Sequence, residues 1–597
     1  MSKPGGAKRP DARREARQDR APRARPDPPP LPPLDAAAAS RALSRLAVGL
    51  AMLALARAAL TFVPGMWLWS LNLQRFLAPP LAWITWGAVA LAFAPPLARR
   101  VGSWMARAGD MTLDRPRAAT AAWASFAALL TWLLPDRVQF VGDFLLRQST
   151  LQTQGALPAL WYPQAMPLDL LIHDVLARVA LAITGMHAST EGRVLGALEA
   201  ATLAAIALSY ARELRLRGVA AFAATSVLFF GGYLALFTGY NKCFTEMSLV
   251  VAAAGVMMVR LARGSGGLLP LGLTLTAGAL LHRSTLGLYP AALLSVRIWS
   301  RSQPPGAWRR PANLLALALP VVAQALVLPR MLAVIGQVDA QHFAPGEVSE
   351  HGLLAATFAP ARLADMLNLV LMLSPVFVAV LVPLALDRGA WRSRPELRAL
   401  GLLGATLLGM MLLVHPQQGM FRDWDVFATL GVALSLIAAL TVGESLRAAP
   451  ARAWLAVPVV ATAALFTVQW LVHQADLDRG LARVHAFMNE PPARTELNAA
   501  TTWQYLGIRN RLAGRWEDAA VAYREAARHL PSPNILRQLG VAEERAGHLE
   551  RARDVYRLML SRNPSDQLAQ ALAARVTARL DSLARDSALA APRLPHP

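Results

Sequence analysis

Residues 415–443 read HPQQGMFRDWDVFATLGVALSLIAALTVG, a polar turn from His415 to Asp425 that opens onto an apolar run without a single charge. An ionisable side chain at mid-bilayer costs roughly 2.5–3.5 kcal/mol on insertion scales, so charges gathered at the mouth of such a run imply use. The same juxtaposition recurs at Gly142-Asp143, at Tyr240-Asn241-Lys242 with Glu246, and at His282-Arg283. Each cluster sits at the end of an apolar run, which is the outline of a site built at one face of a membrane.

The composition agrees. The chain has 597 residues, 55% of them hydrophobic, and a mean hydropathy of +0.35. A water-soluble fold would leave the recurrent apolar runs unsolvated. The formal charge of +22 does not indicate a nucleic-acid partner, because the arginines lie in an N-terminal tail and in short connections between runs. Residues 1–42, rich in Arg, Pro and Ala and without apolar periodicity, read as a disordered cytoplasmic tail. The tail's length and the lack of a cleavage-like site after the first apolar run argue against a removable signal peptide. Cys243 is the only cysteine and reads as a small apolar filler.

At about 20 residues per span, thirteen spans are expected, near 43–63, 76–97, 118–134, 192–211, 218–237, 244–262, 267–282, 284–298, 312–335, 364–386, 399–415, 425–443 and 453–472. The fold class is all-α, a polytopic bundle over 43–473. Residues 167–186 are apolar on one side but carry Asp169, His173, Asp174 and Arg178 on the other, the pattern of a helix lying in the interface. Leaving that helix out of the span count puts 20 arginines in one set of loops and 8 basic residues in the other. By the positive-inside rule the first set is cytoplasmic. The four polar clusters, the loop 135–191 and everything after the last span are then extracytoplasmic, as in a multi-pass inner-membrane protein.

Beyond residue 474 the pattern changes. Trp503, Leu506-Gly507, Gly514, Ala519, Tyr523, Ala526 and Pro531 follow the tetratricopeptide spacing, and Leu539-Gly540, Gly547, Ala552, Tyr556 and Pro564 repeat it. Two repeats, about 500–532 and 533–565, are expected within a helical domain over 474–590. Because about three are normally needed for a stable stack, 476–490 and 566–586 are expected to flank them as helices. Such a domain either spaces or docks a protein partner or acceptor.

Each polar cluster has a chemical reading and an ordinary one. Asp143 is placed as a general base for an acceptor hydroxyl; the ordinary role is a loop aspartate paired with Arg137 or Arg147. Arg283, Arg422, Lys242 and His282 are candidates for holding a lipid-linked phosphate, since guanidinium and ammonium groups match its oxygens. The ordinary role is an interfacial anchor, and Lys242 is also within sequence reach of Glu246. Asp423 and Asp425, two residues apart, can ligate a divalent cation such as Mg or Mn, with Glu246 and His415 as polar support. His342 and His351 lack a tight ligand spacing. Glu199, inside a span, calls for an interhelical partner such as Arg57. No Walker loop, dinucleotide fingerprint or nucleophile elbow is present in a fitting context.

The arrangement resembles the GT-C glycosyltransferases: many spans, a carboxylate in an early extracytoplasmic loop, an interfacial helix after it, and polar clusters on the same face. With its terminal repeats it is similar to the protein O-mannosyltransferases that carry tetratricopeptide repeats. The resemblance covers about 118–565 and implies inverting transfer from a polyprenyl-phosphate sugar, the early acid serving as base. That role maps to Asp143. The family commonly pairs two acids soon after its first span, whereas Phe144 follows Asp143 here and two more spans precede it, so Asp136 and Asp169 stay open as alternatives. A membrane-anchored scaffold and a flippase of lipid-linked intermediates are the rival readings; the first has no need of the clustered charges, and the second calls for midplane charges and repeated halves.

Overall fold

The computed structural model describes residues 34–141, 144–152, 164–340 and 346–590, and no strand occurs among them. Most of the tail expected over 1–42 falls outside that range. Its last part is helical: α1 (Ala36–Leu60) starts ahead of the expected 43 because the Asp35 carboxylate accepts from the Ala38 amide and caps it. The chain continues through α2 (Pro79–Leu91), α3 (Pro95–Asp114), α4 (Pro116–Leu133) and α5 (Phe144–Gln152). Next comes α6, built of Pro167–Leu170, a π-turn at Leu171–Leu176 and Ala177–Thr184. The remaining bundle helices are α7 (Ala188–Glu213), α8 (Gly218–Phe229), α9 (Phe244–Ala262), α10 (Leu269–Leu281), α11 (Tyr289–Arg301), α12 (Pro311–Val334), α13 (Pro360–Leu373), α14 (Phe377–Leu386), α15 (Pro395–Leu413), α16 (Ala428–Ala448) and α17 (Ala456–Ala475).

The protein is a multi-pass membrane protein, but thirteen uniform spans are not what is found. Seven described helices are long and apolar enough to cross a bilayer, and up to ten crossings result if each bent pair counts as one. The pairs are α2–α3, bent by 90°, α13–α14, bent by 100°, and α8 with the 3-10 turn Gly232–Thr238, bent by 63°. The other expected spans correspond to α4, α10 and α11, which are shorter or less apolar. Two of the breaks meet. A Cβ on Gly231 or Gly232 would lie 2.5 Å from the carbonyl oxygens of Leu373 and Met372, so bare backbone at the α8 end is what lets the α13 end approach.

At the centre is α16, almost wholly buried, with α8, α9 and α15 against it. One end of this group is closed by ions: Arg263 meets Glu396 at 3.0 Å and Glu444 at 2.9 Å, and Arg447 also bonds Glu444. The expected cytoplasmic connection 98–117 is helix α3 for most of its length. The interfacial segment is helical as expected, but α6 turns Asp169, His173 and Asp174 into the protein and leaves Leu171, Val175, Val179 and Ile183 outward. Its polar half is satisfied by partners rather than water, and its apolar half is left for lipid.

The C-terminal part is five helices: α18 (Leu477–Asn489), α19 (Glu496–Leu512), α20 (Trp516–His529), α21 (Pro533–Arg545) and α22 (Leu549–Arg562), followed by α23 (Gln567–Ala590) as the second flanking helix. The pairs α19–α20 and α21–α22 are the two repeats. Gly507 faces the Tyr523 ring and Gly540 the Tyr556 ring, and Ala519 and Ala552 are fully buried. Gly514 and Gly547 turn each pair at φ +73° and +91°.

Candidate functional site

α10 ends where His282 leaves helical geometry, and its imidazole caps the 3-10 turn Arg283–Leu288 by accepting from the Ser284 amide at 3.2 Å. Lys242 precedes α9, and Asp423 and Asp425 precede α16. All five side chains line one cavity of about 580 Å³. Lys242 Nζ is 3.9 Å from Asp425 and lies 5.0 Å over the Phe244 ring, which meets the His282 ring edge-on. Tyr240 donates its hydroxyl to Asp425. Asp423 accepts from the Gln418 amide, and Arg283 lies 3.2 Å from His282 Nε2.

Much of the remaining wall is apolar, with Leu286, Leu407, Met410, Leu413, Ile335 and Val338 among others, and Gln164, Ser284, Gln417, Gln418 and Thr429 add neutral polar groups. The space therefore sets two cations and two carboxylates beside a large apolar lining. Such a shape accepts an amphiphile whose head is an anion.

Not every expected residue is there. Arg422 points elsewhere: it donates to Phe140 O at 3.2 Å and to Thr501 O at 2.7 Å and lies over the Phe140 and Tyr505 rings. It ties the 416–425 turn to α19, so the phosphate contact expected from its sequence neighbours is replaced by two backbone acceptors. Glu246 pairs with His173 at 3.0 Å rather than with Lys242, beneath the cavity. His415 is buried against Thr357 and Leu413, while its neighbours Val414 and Pro416 form the wall. Arg57 bonds Gln469 and Ser70 O, and Glu199 lies beside Glu246.

Asp143 and His342 lie outside the described residues. Val141, two positions before Asp143, lines the cavity. Four positions after it, Arg147 forms a buried two-pronged pair with Asp169, at 3.2 and 3.1 Å. Asp169 is thus committed to a guanidinium, and His173, 3.9 Å away, connects it to Glu246. Asp136 is buried at the junction with the repeats, accepting from the Gln139 amide. Neither Asp136 nor Asp169 lines the cavity. The network through Arg147, Asp169, His173 and Glu246 joins residues up to 99 positions apart, and only the polar half of α6 hinted at it in the sequence.

A divalent cation finds no ready cage. Among the described residues no group of three or more His, Cys, Asp or Glu side chains is placed to hold a metal ion. The chemistry of the pair explains this, because Asp425 is engaged by Tyr240 and Lys242 and Asp423 by a backbone amide.

Residues 533–576 match the family model described as Tetratricopeptide repeat. No curated protein matches the chain. Among solved structures, ArnT from Cupriavidus metallidurans bound to undecaprenyl phosphate is similar at 13% identity and a TM-score of 0.37, over 73% of this chain and 79% of that one. Its apo state is similar at 13% and 0.38, over 74% and 80%.

Proposed function

We propose that the protein is a GT-C type membrane glycosyltransferase that moves a sugar from a polyprenyl-phosphate donor to an extracytoplasmic protein or glycan. The observation that carries this reading is the cavity itself, which sets Lys242, His282 and Arg283 beside a large apolar lining in one continuous space. A scaffold would gain nothing from it. In the reaction, the acceptor oxygen attacks the anomeric carbon from the face opposite the donor phosphate. The bond from that carbon to the phosphate oxygen breaks with its electron pair, and Asp143 takes the hydroxyl proton. Arg283 and Lys242 offset the charge that grows on the departing phosphate. Arg147, held by Asp169, positions the helix that begins beside the base. No step is routed through a divalent cation.

The test uses purified protein and a polyprenyl-phosphate sugar. Asp143→Asn should lower kcat on the order of 100- to 10,000-fold, the usual loss for a general base, while the protein stays folded. Arg283→Ala should mainly raise the donor concentration needed, because a charge-assisted phosphate contact is lost. Arg422→Ala should loosen the repeats and lower the melting midpoint without changing the donor requirement. Near-normal turnover by Asp143→Asn at equal protein concentration excludes this residue as base. Normal donor use by both Arg283→Ala and Lys242→Ala would sink the reading of the cavity as the donor site.

A further inference from the structure

Helix α15 separates two spaces. It turns Leu407, Met410 and Leu413 to the polar cavity, and Gly401, Ala405 and Leu408 to a groove of about 1110 Å³ on the other side, completed by α13 and α14. The groove opens outward, since Leu363, Leu367, Leu381 and Leu408 on its rim are each 40–45% exposed. From Arg398 to Leu412 it follows α15 for about 21 Å, within the ~30 Å of a bilayer's apolar core.

The end far from the polar cavity is different. Arg388, Arg392 and Arg398 line it, and no carboxylate does. Arg388 and Arg398 bond only backbone carbonyls, of Ala385 and Arg392, at 3.0–3.1 Å. The acids beside them in sequence are paired elsewhere, Asp387 with Arg45 and Glu396 with Arg263. In the same wall Trp391 is only 3% exposed, yet its indole N–H has no acceptor among the described residues. That N–H is enclosed by the protein, so it takes no part in what binds in the groove. Three cations that form no ion pair among the described residues, beside a hydrocarbon trough, ask for one chemistry, an anionic oxygen-rich head on an acyl chain.

We propose that this groove is a binding site for an anionic glycerophospholipid, its phosphate on Arg388, Arg392 and Arg398, and its chain along Gly401. This site is separate from the donor cavity, lies at the other end of α15, and does not depend on glycosyl transfer. A zwitterionic headgroup would bring its ammonium against three guanidinium groups and is disfavoured. Near a membrane surface each Lys or Arg contributes about a factor of five, so three give a preference for the anionic lipid on the order of 100-fold.

The full-length protein, purified in mild detergent and stripped of lipid, is titrated with phosphatidylglycerol or phosphatidylcholine, and bound lipid is counted by native mass spectrometry. The wild type should retain phosphatidylglycerol selectively. Changing all three arginines to Gln should abolish the selectivity. Gly401→Phe is the second arm. A Cβ there meets no atom within 4 Å, so the ring enters the groove without disturbing the fold and should evict the chain. Equal retention of both lipids by the wild type overturns the proposal. So does selectivity that survives Gly401→Phe, which stays decisive if the triple variant does not assemble. Undecaprenyl phosphate displacing phosphatidylglycerol at equal concentration would assign the groove to a polyprenyl lipid instead and equally overturn it.

Discussion

Asp136 shows how one side chain sets the terms on which the bundle and the repeats join. Burial pushes its carboxyl up to about 6, against the Gln139 amide and the Arg509 charge, which hold it down. The folded value lies above the unfolded one near 3.8, so its contribution is fully present below the unfolded value and is lost as pH rises through about 6. Asp136→Asn keeps an oxygen for the Gln139 amide and removes the buried charge. Its melting midpoint should exceed that of the wild type at pH 7.5, by the equivalent of at most about 3 kcal/mol, and the gap should narrow towards pH 5. A gap that does not change between these pH values would place the ionisation elsewhere. Asp136 also marks what the sequence could not convey at this scale. Lys242, His282, Arg283, Asp423 and Asp425 were legible as a group because each ends an apolar run. Arg422, one residue from Asp423, belongs to a different neighbourhood, because adjacent side chains in a turn point apart and no periodicity says which one faces inward.

At the scale of elements the repeats were the most legible part, because their spacing is imposed by contact. Gly507 under Tyr523 and Gly540 under Tyr556 leave no room for a Cβ, and Ala519 and Ala552 sit at 0% exposure in the same seams. Ala552→Leu should therefore force α21 and α22 apart at a typical overpacking cost of about 1–3 kcal/mol. The full-length protein should melt earlier, and the repeats should be clipped first in limited proteolysis. Unchanged melting and unchanged proteolysis would mean that the seam is not where the spacing places it. The bends in α2–α3 and α13–α14 were not legible as bends. By composition α13–α14 is a single apolar stretch, and Pro375 at its break looks in sequence like a Pro tolerated within a helix; α3 instead carries Arg99, Arg100, Arg107, Asp110 and Asp114, so there only the angle of the turn at Pro95 was hidden. The inward polar face of α6 was hidden for a related reason, since its partners Arg147 and Glu246 lie on other helices.

For the whole molecule, the asymmetry of 20 against 8 basic residues between the two sets of loops argues that the repeats are outside the cytoplasm. A reporter that is active only outside the cytoplasm, fused after residue 590, should give signal, and a well-expressed but silent fusion would reverse the orientation. The repeats are not a loose appendage. Tyr505 on α19 donates to the carbonyl of Val138 at 2.5 Å, Phe140 meets Tyr505 and Phe421 edge-on, and Arg509 holds Gln139 and the carbonyl of Arg137. These contacts brace the chain just ahead of Val141, a wall of the cavity. Tyr505 and Val138 are 367 residues apart, and at a synthesis rate of about 5–20 residues per second the brace arrives roughly 20–70 s after the segment that it holds. For that interval the wall has no support from α19, and a chain whose synthesis stops after α17 never gains it. Maturation of this site is therefore paced by translation, and the wall at Val141 is complete only once α19 has left the ribosome.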